Sequence, residues 1–263
     1  MLSARALLVR GLLAGLVAGL VAFGVAYVVG EPSVNAAIAL EDTAGAAPHS
    51  HADEASAAAP HSHATEAGGT VVPRSLQSTL GLLTATGVAG VTLGGLVGVL
   101  TALSLGRFGR LGARGTALAV AAAGFLTLYA LPSLVYPPNP PAVGSADTLQ
   151  TRTAAYFTLV AVSVIAATTA VLAGRRLARA WGSWYATLTA LAAYLTVTLV
   201  AGALLPAYAE VPADYPATVL WDFRLASFVI QLVLWAVLGL VLAELVHRLT
   251  HPTTANRKQR QPV

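Results

Sequence analysis

The chain of 263 residues has no cysteine, and only 10% of its residues are charged. The first absence excludes disulfides and thiolate metal ligands. The second separates it from ordinary soluble domains, in which charged residues make up about 25%. Its long apolar stretches hold no Asp or Lys, and their only charged residues are Arg10, near the start of the first, and Glu244, close to the end of the last. Proton relays and ion pathways through a bilayer usually show Asp, Glu or His inside their spans, and here there are almost none. No G-x-x-x-x-G-K-[ST], H-E-x-x-H or G-x-S-x-G string occurs, which sets aside ATP hydrolysis by a P-loop and the commonest membrane-protease signatures. A haem bundle needs axial His within its spans, whereas His247 stands at the end of the last stretch with His251 beyond it, where a cation favours the helix dipole. The chain is therefore expected not to be an enzyme.

What is present is apolar: 56% hydrophobic residues and a mean hydropathy of +0.72. A membrane-crossing helix needs roughly 20 mostly apolar residues. Six stretches qualify, residues 7 to 29, 79 to 105, 115 to 135, 154 to 173, 184 to 205 and 225 to 246. They predict an all-α polytopic membrane helix bundle of six transmembrane helices, one membrane domain over 1–263 with a short basic tail at about 247–263. The apolar core of the first stretch exceeds the roughly 7 to 15 residues of a secretory signal, so it is expected to remain as a span.

Orientation follows from the basic residues, which collect in short cytoplasmic loops. Twelve of the fifteen fall on one side under the six-span reading: Arg5, Arg10, Arg107, Arg110, Arg114, Arg175, Arg176, Arg179, Arg248, Arg257, Lys258 and Arg260. Arg74, Arg152 and Arg224 fall on the other, with ten of the eleven acids. Both termini are thus expected to be cytoplasmic. The pI near 9.7 comes from those arginines and implies contact with the lipid bilayer, with no nucleic-acid partner.

The long outer segment, residues 30 to 78, contains a duplicated block: Ala47-Pro48-His49-Ser50-His51-Ala52-Asp53-Glu54-Ala55, then Ala59-Pro60-His61-Ser62-His63-Ala64-Thr65-Glu66-Ala67. Imidazole is the commonest neutral ligand for first-row transition metals. His49, His51, His61 and His63 with Asp53, Glu54 and Glu66 make a nitrogen and oxygen set for Co(II), Ni(II) or Zn(II), and the lack of sulfur disfavours Cu(I). From about 42 to 70 the loop has too few apolar residues to build a core and is expected to be disordered without metal. Val34 to Glu41 predicts a short interfacial helix. Because the His loop lies outside the membrane, capture suits it better than passage.

Residues at the outer ends of the spans are the candidates for a transport mouth: Glu31, Glu41, Gln77, Tyr136, Asn139, Asp147, Arg152, Asp222 and Arg224. The loop 136–144, stiffened by four prolines, reads either as a vestibule offering carbonyl oxygens or as a rigid turn. The outer loops together make an acidic face that concentrates cations. Gly11, Gly15 and Gly19, and Gly90, Gly94 and Gly98, recur at helical spacing. They predict close helix contact, within the chain sooner than between subunits.

Several strings resemble the CbtA family of cobalt-transporter subunits over nearly the whole chain. They are Arg10-Gly11-Leu12-Leu13-Ala14-Gly15, Gly30-Glu31-Pro32, Ala36-Ala37-Ile38-Ala39-Leu40-Glu41, Gln77-Ser78-Thr79 with Gly81-Leu82, Tyr136-Pro137-Pro138-Asn139-Pro140-Pro141-Ala142-Val143-Gly144, Arg152-Thr153 with Tyr156-Phe157, and Pro212 through Trp221 to Ser227. The resemblance implies a bacterial inner-membrane protein that takes up cobalt for cobalamin synthesis beside a small one-span, His-bearing CbtB-like partner, with Co(II) as substrate and no permanently bound cofactor. It also implies five spans, where the charge pattern argues six. A non-transporting subunit that binds metal and delivers it to a separate transporter is the alternative, favoured by the missing intramembrane ligands.

Overall fold

The computed structural model describes residues 3–45, 73–107, 111–141 and 143–251, and all regular structure among them is helical. The Ser3 hydroxyl caps α1 (Ala4–Val25) by accepting from the Ala6 N–H at 3.2 Å. A π-helical turn, Ala26–Gly30, leads into α2 (Glu31–Gly45). A single turn, α3 (Arg74–Leu76), runs through a second π turn, Gln77–Gly81, into α4 (Leu82–Ser104). Then α5 (Ala113–Phe125) passes a third π turn, Leu126–Ala130, into α6 (Leu131–Val135). The chain ends its described part with α7 (Leu149–Leu204) and α8 (Ala217–Thr250). The first stretch and residues 34 to 41 are thus one rod, where the sequence predicts a span followed by a separate interfacial helix.

Two of the π turns are explained by proline. Pro32 and Pro132 each stand two residues past the end of a π turn. A proline ring collides with the carbonyl four residues before it, and a widened turn relieves that collision. Pro132 also has no N–H to give the Leu128 carbonyl. The Tyr156 hydroxyl donates to that carbonyl instead, at 3.2 Å, and ties α7 to the third π turn.

Among the described residues, five helices are long and apolar enough to cross a membrane: Ala4–Glu41, Arg74–Ser104, Ala113–Val135, Leu149–Leu204 and Ala217–Thr250. The stretches 154 to 173 and 184 to 205, expected as two helices, both fall inside α7, an element of 56 residues. It is interrupted at Gly182, whose φ of 78° and ψ of 160° are not helical. In a straight helix Ser163 and Tyr194 would lie roughly 46 Å apart at the usual rise per residue, yet their hydroxyls are 3.0 Å apart. The element therefore doubles back at Gly182, and its two arms pack on each other, Gly174 facing Ala190.

The bundle core is built by α1, α4, α5 and α8 around Leu7, Ala14, Ala18, Val97, Ala117, Leu234, Trp235, Leu238 and Leu242, all buried. The α1–α4 seam is made of glycine. A Cβ added to Gly19 would lie 2.5 Å from the Thr86 carbonyl oxygen, and one added to Gly98 would lie 2.7 Å from that of Leu7. Gly11, Gly15, Gly90 and Gly94 interlock between these in the same way. The seam is intramolecular, as the sequence favoured. Gly239 and Gly124 let α8 approach α5, with Trp235 lying on Gly124. The α7 hairpin packs on α6 and the turn before it, where Gly202 meets Val135. Large side chains such as Leu13, Leu20, Val88, Ile165, Leu199 and Leu240 are exposed all round, as a lipid-facing surface requires.

The helices run between two unlike ends. One carries residues 136–148 and 206–216 and the turn entering α4. The other carries Arg107, Arg114, Arg175, Arg176, Arg179 and Arg248, where Glu244 joins α8 to α5 through Arg114 at 2.6 Å and holds Arg248 at 2.8 Å.

Candidate functional site

The loop-rich end holds a chamber of about 540 Å³, within the range of small-molecule pockets. Its floor is α6 and the third π turn, and its walls are the start of α7, the start of α8 and the two proline-bearing loops. Of the nine mouth residues named from the sequence, four line it: Tyr136, Asn139, Arg152 and Arg224.

Each is fixed by hydrogen bonds. Arg224, near the start of α8, donates from Nη2 to Asn139 Oδ1 at 2.9 Å and from Nε to the Pro138 carbonyl at 3.3 Å. A loop in which prolines supply no N–H leaves bare carbonyls, and Arg224 uses one of them. The Tyr136 hydroxyl donates to the Pro206 carbonyl at 2.8 Å, pinning the first loop to the second. Burial, then the neighbouring Tyr208, raises the Tyr136 phenol pKa above its ordinary value.

Arg152 pairs with Glu210, Nη1 to Oε2 at 3.0 Å, and both side chains are largely enclosed, 23% and 14% exposed. Glu210 also accepts from the Thr148 hydroxyl and, at 3.1 Å, from the Ser145 N–H. These contacts, the Thr148 hydrogen bond first, then the Ser145 N–H and the Arg152 charge, hold its carboxyl below the usual carboxylate range. Gly144, at φ 121°, makes room for the guanidinium: a Cβ there would lie 2.5 Å from Arg152 Nη1.

The other mouth residues lie apart. Glu31 is 13% exposed and sealed by Arg74 at 2.5 Å, and Arg74 also reaches Asn35 at 3.2 Å. Glu31 borders a second cavity of about 210 Å³, whose only other polar side chain is Ser227. Gln77 opens the second π turn and is exposed. Glu41, Asp147 and Asp222 are exposed. Among the described residues no group of three or more His, Cys, Asp or Glu could hold a metal ion. His49, His51, Asp53, Glu54, His61, His63 and Glu66 lie outside the described residues.

Sequence reasoning did not place Tyr129, Tyr156, Tyr208, Ser133 and Thr153 at the chamber, nor Glu210 against Arg152 behind its wall. One signal was available. Arg74, Arg152 and Arg224 are the three basic residues on the acidic side of the chain, and each is clamped by side-chain oxygen at the loop-rich end.

A bundle of long apolar helices with a chamber between its end loops defines a multi-pass helical membrane protein. The CbtA family model, described as "Probable cobalt transporter subunit (CbtA)", matches residues 4–247. The chain belongs to that family. No curated protein and no solved structure matches it.

Proposed function

We propose that the chain is a permease subunit for divalent transition-metal uptake, with Co(II) for cobalamin synthesis as its cargo and Ni(II) or Zn(II) as competitors. It sits in a bacterial inner membrane and crosses it six times, the two arms of α7 being separate spans with Gly182 at their turn. Both termini and the arginine-rich end are then cytoplasmic, and the chamber and the His loop are external. The loop captures the ion through His49, His51, His61 and His63 with Asp53, Glu54 and Glu66, and the mouth at the loop-rich end receives it. A one-span, His-bearing CbtB-like partner works beside it, and the chain itself performs no enzymatic step.

The observation that carries this reading is the family match over residues 4–247 on a bundle whose loop-rich end encloses a ligand-sized chamber. The second reading, a subunit that binds metal and hands it to another transporter, is favoured by the lack of a metal-ligand cluster among the described residues. Radiolabelled cobalt uptake separates them, in cells without other cobalt importers, with this chain alone and with the CbtB-like partner, and with nickel and zinc as competitors. Cobalt accumulation in either arrangement is expected. None in both, with insertion verified, favours the delivery role.

A further inference from the structure

The charged side chains in the chamber wall are Arg152 and Arg224, and no Asp, Glu or His lines it. Arg152 is neutralised from behind by Glu210. Arg224 is not, because both of its partners are neutral oxygens, Asn139 Oδ1 and the Pro138 carbonyl. Its Nη1 has no protein partner among the described residues. The chamber thus presents one uncompensated guanidinium, aimed by a rigid loop, among the rings of Tyr129, Tyr136, Tyr156 and Tyr208. A bare divalent cation is repelled there, and an anion is drawn in. The guanidinium fork matches a carboxylate, and the volume of about 540 Å³ admits a small molecule, not merely an ion.

We propose that the chamber binds a small polycarboxylate and that the cargo reaches it as an anionic metal–carboxylate chelate, not as the free ion. The second half rests on the reading of the chain as a cobalt-uptake protein, and the first half does not. In a chelate the metal's charge is outweighed by its carboxylates, and one of their oxygens accepts from Arg224 Nη1. Arg152, occupied by Glu210, shapes the wall and tempers the field, so that the site discriminates by the placement of one positive charge.

The test is calorimetric titration of the purified full-length chain in lipid nanodiscs, with citrate as probe, then cobalt citrate, then cobalt chloride. Citrate and cobalt citrate are expected to bind. Arg224→Gln should weaken both about tenfold or more, the loss expected for a hydrogen bond to a charged group. With the unaltered chain, the neutral trimethyl ester of citrate should fail to compete, a readout that does not depend on the variant folding. The proposal is overturned if the folded chain binds neither citrate nor its cobalt complex at millimolar concentration, or if the ester competes as well as citrate. Cobalt uptake in cells without citrate binding would sink this proposal and leave the uptake reading intact. Citrate binding without uptake would do the reverse to the uptake reading while the anion site stands.

Discussion

Three arginines on the acidic side of the charge pattern turn out to organise the loop-rich end. An unpaired guanidinium at a membrane boundary is easily solvated, so the sequence alone does not say that Arg74, Arg152 and Arg224 are each held by specific oxygens. Tyr136, Asn139, Arg152 and Arg224 were legible as one region because they stand in loops dense with proline and polar side chains or within the first turns of the helices that follow them. Glu210 was not, because its partner Arg152 is remote along the chain and the pairing depends on how α7 folds. Tyr129 and Tyr156 were hidden for another reason: at the end of an apolar stretch, a chamber tyrosine and an interfacial tyrosine look alike.

Gly144→Ala forces a Cβ against the Arg152 guanidinium at an already strained φ. It should cost about 1–3 kcal/mol of stability, read as a lower melting temperature in detergent. An unchanged melt would mean that the guanidinium moves aside freely. The Glu210 clamp gives a pH dependence with a definite sign. Its folded pKa lies below the ordinary value of 4.5, so its contribution is complete above that value and is lost as pH falls through the depressed one. Melting temperature measured from pH 7 downward should drop in the acid range, and Glu210→Gln should flatten that part of the profile. A variant profile parallel to the unaltered chain would remove Glu210 from the account. At the His loop, changing His49, His51, His61 and His63 together to Ala should raise the cobalt concentration needed for uptake and leave maximal uptake largely intact. Loss of all uptake at saturating metal would overturn the capture role.

Among the elements, the glycine seam was the most legible, because small residues at helical spacing have one physical use in lipid, close backbone approach. The sequence could not say which helix lay opposite, and α1 against α4 is the answer the fold supplies. Gly15→Leu would drive a side chain into the Gly90 carbonyl and should cost roughly 1–3 kcal/mol or more, read by thermal unfolding in nanodiscs. A melt equal to that of the unaltered chain would mean that the seam is not a tight contact. Elements were least legible where helices merge. The π turns let α1 continue into α2, so an interfacial helix expected as separate is an extension of the first rod. Similarly, the basic patch Arg175 to Arg179 marked a boundary in the sequence, yet the chain stays helical through it and bends only at Gly182. That glycine occupies a region of backbone space open to little else, and Gly182→Ala should destabilise the hairpin by about 1–3 kcal/mol.

For the whole molecule, composition announced a helical membrane protein, and the absence of cysteine makes its topology directly measurable. A single cysteine placed at Ser183 and another at Ser145 can each be labelled in intact cells without background. Six crossings predict that a membrane-impermeant maleimide reacts at position 145 and not at position 183. Reaction at both would put the Gly182 turn on the outer side and overturn the charge-based orientation. The route of the cargo was not legible, because charge patterning assigns loops to a side without saying which side chains converge there. Among the described residues, the acids that gave the outer face the look of a cation trap are spread over exposed positions or sealed by arginine, and the chamber is lined by guanidinium and phenol.

The most direct test of the account is cobalt flux into lipid vesicles that contain the purified chain, alone and with the CbtB-like partner, and an internal cobalt-quenched dye. A downhill gradient makes the test independent of energy coupling. The account predicts quenching faster than in protein-free vesicles in at least one of the two arrangements, and slower quenching with Arg224→Gln when cobalt is supplied as its citrate complex. Quenching no faster than in protein-free vesicles in both arrangements, with the protein folded and inserted, would contradict transport and leave a metal-delivery protein in its place.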